Sequence, residues 1–429
     1  MRFSRGDFLA LLAAAGAIVA PKAAPAAQPP WYPLPPSQPV GKGRALVLSG
    51  GGARGAYEAG VVKWLLRNVD RDGSPYDTIC GTSAGAINAA FASTASSAGV
   101  EKNEQLWRNM PNANVSRFVP PVQKGVEAAA LFQESTHHGY PAKFSYLARA
   151  RDQVQQMGPP KDLAKIMGVI DDSGIHSLIQ QYPLALADVR TNLIVTATNV
   201  TDIAAVAFYH FVGADAAKKQ ERFLKRVNLP DRFAREAGVP PLRTYHSRYH
   251  PMTDDNFTLS VVASTAVPGA FSPVWIPRED TNTLNLYVDG GVSNNTPINL
   301  ATAAGATDIT VVLVSAIDET TPKPPSNMFE LISACYVLMH NKILEDDITM
   351  TFGRNILARN MQYSGLNATA KAFLDSLEER EWKPITLRVI RPRVPLELTI
   401  MGFNDAKGIE AAFEAGYADA QEPYVYSMG

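Results

Sequence analysis

Cysteine, histidine and runs of like charge are all scarce in this chain of 429 residues. The two cysteines, Cys80 and Cys335, supply neither a disulfide framework nor the spacing of metal ligands. The seven histidines are scattered and indicate no zinc cluster. The formal net charge is -1 and there is no long Lys/Arg run, so nucleic acid is not an expected partner. We expect no metal and no other cofactor.

The apolar run at residues 8–20 is too short to span a bilayer, which requires about 20 apolar residues. Arg2 and Arg5 precede this run and the small residues Ala24-Pro25-Ala26 follow it, a pattern typical of a cleaved export signal. We expect residues 1–26 to be that signal and the mature protein to be periplasmic or secreted. The export route stays open. The alternative to a cleaved signal is an uncleaved amphipathic N-terminus or a membrane anchor.

Short apolar runs and segments of helical periodicity alternate along the chain. Apolar residues make up 46% and charged residues 19%, a balance typical of globular proteins. We predict strands at residues 45–48, 76–80, 193–198, 204–211, 284–288, 309–314 and 385–390. We predict helices at residues 56–66, 84–90, 216–236, 299–304, 329–344 and 406–417, and a polar loop at 240–255. Repeated strand–turn–helix units favour an α/β fold with a largely parallel sheet.

A glycine cluster lies between the first predicted strand and the first predicted helix, in Ser49-Gly50-Gly51-Gly52-Ala53-Arg54-Gly55. Such a loop can present backbone N–H groups to an anion, helped by the start of the following helix. It could form an oxyanion hole. It also fits the dinucleotide pattern G-x-G-x-x-G, but no acidic residue ends a second strand about 20 positions on. A tight turn without a ligand is the third alternative.

A second motif, Gly81-Thr82-Ser83-Ala84-Gly85, matches G-x-S-x-G. It follows a predicted strand and precedes a predicted helix, which is the context of a nucleophile elbow. In that turn Ser83 is expected to be strained, with its hydroxyl exposed. The two outer glycines are small because the strand and the helix pass close together.

A nucleophilic serine needs a base, and the sequence offers no obvious histidine. After Leu300 the only histidine is His340, inside an apolar helical stretch where a packing role fits better. Asp289 opens the motif Asp289-Gly290-Gly291 directly after a predicted strand, so its carboxylate would emerge at a carboxyl end of the sheet. An ordinary Asp-Gly turn is the alternative.

Together the motifs resemble the patatin-like phospholipases. Four blocks match in order: residues 50–55, residues 81–85, residues 263–271 (ASTAVPGAF), and Asp289-Gly290-Gly291 with Asn295 and Pro297 after it. The resemblance implies a three-layer fold and a two-residue catalytic pair, with Ser83 as nucleophile and Asp289 as proton acceptor. It also implies an oxyanion hole formed by Gly50, Gly51, Gly52, Ala53, Arg54 and Gly55. Arg54 could instead support the loop, contact a phosphate head group, or merely pack.

The expected substrate is a lipid carboxylic ester, presented singly or at a membrane surface. Phospholipase A, lysophospholipase and lipase activities in lipid catabolism all fit this expectation. The alternatives are a broad-specificity esterase of the same fold, a nucleotide-binding oxidoreductase that uses the glycine loop, and a catalytically silent interaction protein. The sequence names no protein partner.

Composition, the helical patches and the resemblance together divide the chain. We expect a Pro/Ala-rich linker at residues 27–43 and a patatin-like catalytic domain at 44–315. A mostly helical cap at 107–182 and a second insertion at 211–256 would interrupt that domain. Residues 316–429 would complete it with helices, a strand and a last helix.

The export signal predicts a mature protein that begins near Ala27, because cleavage after Ala24-Pro25-Ala26 removes the apolar run. We expect N-terminal sequencing of the protein recovered outside the cytoplasm to start within a few residues of Ala27. A full-length cytosolic protein that retains Met1 would contradict this.

Overall fold

The structure is a computed structural model. It describes residues 43–113, 115, 173–227, 249–277, 284–317, 319, 334, 338, 351 and 385–426. The strands in these ranges are β1 (Arg44–Leu48), β2 (Thr78–Gly81), β3 (Asn192–Asn199), β4 (Ala204–His210), β5 (Tyr249–Pro251), β6 (Val274–Pro277), β7 (Leu284–Asp289), β8 (Asp308–Val312), β9 (Thr386–Ile390) and β10 (Tyr424–Tyr426).

The α-helices in the same ranges are α1 (Gly55–Leu65), α2 (Val69–Asp72), α3 (Ala84–Ala92), α4 (Ser97–Asn109), α5 (Ser173–Gln181), α6 (Ala216–Val227), α7 (Phe257–Thr265), α8 (Ile298–Ala303) and α9 (Ala406–Asp419). Short 3-10 turns lie at Gly52–Arg54, Met110–Ala113, Leu186–Asp188 and Gly290–Val292. None of these helices is long and apolar enough to cross a bilayer.

The described strands form one sheet in the order β10-β9-β8-β1-β2-β3-β4-β5. Strands β9, β8, β1, β2 and β3 are parallel to their neighbours in this series, whereas β10 and β4 run antiparallel at either side. Strand β7 pairs antiparallel with the last part of β3, and β6 pairs with β7. Because β1 and β2 are parallel, the chain between them crosses a face of the sheet, and α1 and α2 lie in this connection.

The sheet separates two hydrophobic clusters, because successive side chains of a strand point to opposite faces. On β1, Leu46 and Leu48 pack on one face and Ala45 and Val47 on the other. Helices α1, α3, α4, α5, α7 and α9 add buried side chains to the first face, and α6 and α8 add them to the second. The layers are helix, sheet and helix, which confirms the expected α/β class and its largely parallel sheet.

Most predicted elements lie within a few residues of their positions in the structure. The predicted helix 84–90 continues to Ala92, and the predicted strand 309–314 is β8. Helices α4 and α7 were not predicted, and the predicted loop 240–255 contains β5. That strand is short and half-buried, so its pairing with β4 defines it rather than a hydrophobic pattern. The predicted helix 329–344 lies almost wholly outside the described residues.

The expected cap, residues 107–182, is described only at its two ends, α4 with the turn after it and α5. Residues 114 and 116–172 lie outside the described residues. Trp107, at the start of the expected cap, is 1% exposed and donates its indole N–H to Asn88 Oδ1 at 2.7 Å. This end of the segment therefore belongs to the core of the domain.

The described parts of the second expected insertion, residues 211–256, also contribute side chains to the core. Phe223 of α6 is fully buried among the rings of Tyr209, Phe211 and Tyr249, with centroid distances of 5.4 to 5.9 Å. Strand β5 extends the sheet beyond β4. Residues 228–248 of the insertion lie outside the described residues.

The last part of the chain completes the sheet and covers its first face. Strand β9 pairs with β8, and α9 packs against α1. The two helices cross closely at glycines, since an added Cβ on Gly60 would collide with the Phe413 carbonyl and one on Gly416 with the Tyr57 carbonyl. Residues 385–426 are therefore an integral part of the same domain.

Candidate active site

Two strand ends meet beside β3. Strand β2 runs parallel to β3 and places Gly81 opposite Val195, whereas β7 runs antiparallel and places Asp289 opposite Ala197. Both occupy the same edge of β3, because β4 pairs along its other edge. The carboxyl ends of β2 and β7 therefore face each other across one residue, Thr196. This pairing brings the G-x-S-x-G turn to the D-G-G turn.

Ser83 lies in the turn between β2 and α3 in a conformation that non-glycine residues rarely adopt. Its φ is 54° and its ψ is -126°. Backbone strain of this kind costs on the order of 1–3 kcal/mol and concentrates at functional sites. The sharp, strained turn predicted from the motif is therefore present.

The outer glycines of the elbow allow β2 and α3 to approach one another. An added Cβ on Gly81 would collide with the Gly85 carbonyl, and one on Gly85 would collide with the Leu48 carbonyl. The N–H of Thr82 donates to that same Leu48 carbonyl at 3.1 Å. The elbow is thereby anchored to the end of β1, where the glycine loop begins.

Asp289 is fully buried at the end of β7. Its Oδ1 accepts a hydrogen bond of 2.6 Å from the N–H of Gly291 and so caps the following 3-10 turn. Its own N–H donates to the Ala266 carbonyl at 2.8 Å, and its carbonyl accepts from the Thr198 hydroxyl at 3.0 Å. The backbone on both sides of this carboxylate is therefore held by β3 and by the end of α7.

Thr196 of β3 joins the two turns. Its hydroxyl lies 2.6 Å from that of Thr82, and both hydroxyls lie within hydrogen-bond distance of the Asn294 carbonyl, at 3.3 and 2.9 Å. Gly290 passes so close to β3 that an added Cβ would collide with the Thr196 hydroxyl. The D-G-G turn and the elbow are thus held against a single residue.

The glycine loop passes over Ser83. The N–H of Gly50 lies 3.1 Å from Asn295 Oδ1 and 3.2 Å from the Asn295 carbonyl oxygen. The side-chain amide of Asn295 in turn donates a hydrogen bond of 3.4 Å to the Gly50 carbonyl. An added Cβ on Gly50 would lie only 3.0 Å from the Cβ of Ser83. The side chain of Ser83 is consequently buried, at 3% exposure, whereas the sequence predicts an exposed hydroxyl.

Comparison with known proteins identifies the family of the chain. A family model described as Patatin-like phospholipase matches residues 46–302, more than half of the chain. The chain belongs to the patatin-like phospholipase family. The match confirms the resemblance inferred from the four motifs.

Among solved structures, VipD from Legionella pneumophila is similar at 14% sequence identity and a TM-score of 0.33. The aligned region covers 89% of this chain and 66% of VipD, so the chain spans just under two thirds of that protein. No curated protein sequence matches the chain.

The second half of the patatin-like glycine loop is anchored to the segment after β9. Gly52 has a φ of +56°, and the N–H of Ala53 donates to the Ile400 carbonyl at 2.7 Å. Arg54 points inward, where its Nε donates to the Leu398 carbonyl at 2.7 Å and its guanidinium pairs with Glu319 at 2.6 Å. Of the roles considered for Arg54, support of the loop is the one that these contacts favour.

A buried network that the sequence did not predict lies beneath the loop. Glu58 of α1 is fully buried, with one carboxyl oxygen 3.5 Å from the Ser49 hydroxyl and the other 3.1 Å from the Asn88 amide. That amide also donates to the Gly55 carbonyl at 3.0 Å, and Asn88 accepts the indole N–H of Trp107. The network connects both ends of the glycine loop to α3 and α4. Its only local signal is a charged residue on the buried side of α1.

Burial raises the pKa of the Glu58 carboxyl well above its usual range, against the opposing effect of hydrogen bonds from Asn88 and Ser49. The folded protein therefore holds a proton that the unfolded chain releases above about pH 4.3. The free energy of unfolding should fall as pH rises, by up to about 1.4 kcal/mol per pH unit, until the raised pKa is passed.

Glu58→Gln removes this titration while keeping the shape of the side chain. We expect the stability gain of the variant over wild type to be small near pH 4.5 and to grow towards pH 8. Urea unfolding at several pH values measures this, with the exposed Glu101→Gln as control. A difference that does not change with pH would contradict the assignment.

Proposed function

We propose that the protein is a serine acyl hydrolase of lipid carboxylic esters, with Ser83 as nucleophile and Asp289 as its base. The observation that carries this proposal is the pairing of β2 and β7 on one edge of β3. It brings a strained serine at the end of one strand to a fully buried carboxylate at the end of the other. Acyl transfer to a serine requires a base next to the hydroxyl, because the hydroxyl is a weak nucleophile by itself.

In the proposed reaction Asp289 accepts the proton of the Ser83 hydroxyl as the oxygen attacks the ester carbonyl carbon. The tetrahedral intermediate collapses when its bond to the alcohol oxygen breaks, and Asp289 returns the proton to the departing alcohol. The acyl group is then an ester of Ser83. Water attacks this ester and gives a proton to Asp289, which passes it back to Ser83 as the fatty acid leaves.

We propose that the N–H groups of Gly51 and Gly52 stabilise the intermediate. The N–H of Gly50 is engaged by Asn295, and those of Ala53 and Arg54 donate to the carbonyls of Ile400 and Gly51. Within the described ranges, no acceptor is assigned to the amides of Gly51 and Gly52. Since Gly50 abuts Ser83, the next two amides are near the position where the oxyanion forms. One such donor is typically worth about 3 kcal/mol of transition-state stabilisation.

The lipid substrate is proposed from the family alone, and a broad-specificity esterase remains the runner-up. Hydrolysis of phospholipids, lysophospholipids, triacylglycerols and short nitrophenyl esters in parallel separates the two. A dinucleotide role for the glycine loop is disfavoured for two reasons. Strand β2 is followed by the elbow rather than by an acidic residue, and Gly50 of the loop packs against the side chain of Ser83. The presence of both Ser83 and Asp289 disfavours a catalytically silent protein.

We also propose that the enzyme is exported and acts outside the cytoplasm. This proposal is supported by the pattern of residues 1–26 in the sequence, which lie outside the described residues.

Ser83→Ala and Asp289→Asn should each lower kcat for ester hydrolysis by at least about 10³-fold, and the double variant should lose little more. Groups that act as one unit show such non-additive losses. His340→Ala should keep activity near that of wild type, because the proposed base is Asp289. The rates are compared on one nitrophenyl ester, with circular dichroism to confirm folding.

Two results would contradict the pair. Activity of Ser83→Ala at the wild-type rate would refute the nucleophile. An inactive His340→Ala beside an active Asp289→Asn would replace the pair with a histidine-dependent triad.

A further inference from the structure

One short segment at the end of α7 contacts both halves of the proposed catalytic pair. The Oγ of Ser264 accepts a hydrogen bond of 2.8 Å from the backbone N–H of Ser83. Two residues later, the carbonyl of Ala266 accepts the N–H of Asp289, also at 2.8 Å. Ser264 is fully buried. The segment Ser264–Ala266 therefore links the backbones of nucleophile and base.

The bond made by Ser264 differs from those of the other buried hydroxyls on α7. The hydroxyl of Ser260 donates to the Phe257 carbonyl at 2.7 Å, and that of Thr265 donates to the Val262 carbonyl at 2.8 Å. Bonds to the carbonyl of the preceding turn are the usual arrangement for serine and threonine inside a helix. Ser264 instead accepts from a residue 181 positions away in the sequence.

The amide of Ser83 needs such a partner for two physical reasons. It lies at the start of α3, where the first N–H groups of a helix have no acceptor within that helix, and a buried N–H without a partner is costly. The residue also has a φ of 54°, so its peptide plane must be held against backbone strain. The hydrogen bond to Ser264 fixes that plane and hence the direction of the Cα–Cβ bond of Ser83.

We propose that Ser264 is a positioning residue that aims the Ser83 hydroxyl at Asp289. Through Ala266, the same segment sets the separation between the two catalytic backbones. The inference rests on the proposed function, since it assigns Ser264 a part in that same reaction. Small misplacements of reacting groups, of about 1 Å, can cost about 100-fold in rate, so loss of this bond should affect kcat.

The test compares Ser264→Ala with Ser260→Ala in the full chain. Both changes remove a buried hydroxyl from α7, but only the first removes the bond to Ser83. We expect Ser264→Ala to lower kcat on a nitrophenyl ester by about 10- to 100-fold with KM within about twofold of wild type. Ser260→Ala should change both constants by less than about twofold, and urea unfolding of each variant reports any general loss of stability.

A third variant, Ser264→Cys, is nearly isosteric and carries a weaker acceptor. The kcat of Ser264→Cys should lie between those of wild type and Ser264→Ala. If Ser264→Ala does not fold, the kcat of Ser264→Cys alone decides the test. Wild-type kcat in Ser264→Cys and in any folded Ser264→Ala would overturn the proposal, as would equal losses in Ser264→Ala and Ser260→Ala. An active Ser83→Ala would instead refute the proposed function on which the inference rests.

Discussion

The pairing of β3 with two different strands along one edge is the constraint on which the candidate site depends. Strand β2 pairs with the first part of β3 and β7 with the last, so the two strands meet end to end with only Thr196 between their registers. A shift of either register by one residue would turn the side chains to the other face of the sheet. The D-G-G turn and the elbow can therefore meet only in this alignment.

The site is also a place where local strain is balanced by tertiary contacts. Ser83 has a φ of 54°, and its backbone is held by Ser264 and by the anchoring of Thr82 to β1 and β3. Glycines allow the close approaches around it, at Gly50 against Ser83 and at Gly290 against β3. Rigid support of this kind keeps reacting groups in position at the cost of local stability.

The sequence predicted the elements and motifs of the site but not how they meet. Strand–turn–helix patterns are local, so the elbow at Ser83 and the strand before Asp289 followed from a few residues each. Whether β7 runs parallel or antiparallel is decided by pairing, which no local pattern records. The role of Ser264 and the buried network of Glu58 are likewise absent from local patterns, because they depend on contacts between distant segments. The burial of Ser83 was missed because Gly50 covers it only in the folded chain.

Covalent trapping is the most direct test of the proposal that Ser83 is the nucleophile. The protein would be incubated with a fluorophosphonate ester, digested, and analysed by mass spectrometry while residual ester hydrolysis is followed. If Ser83 is the nucleophile, activity is lost in step with the formation of a single phosphonyl adduct on Ser83. Complete loss of activity with Ser83 unmodified and the adduct on another residue would contradict the proposal.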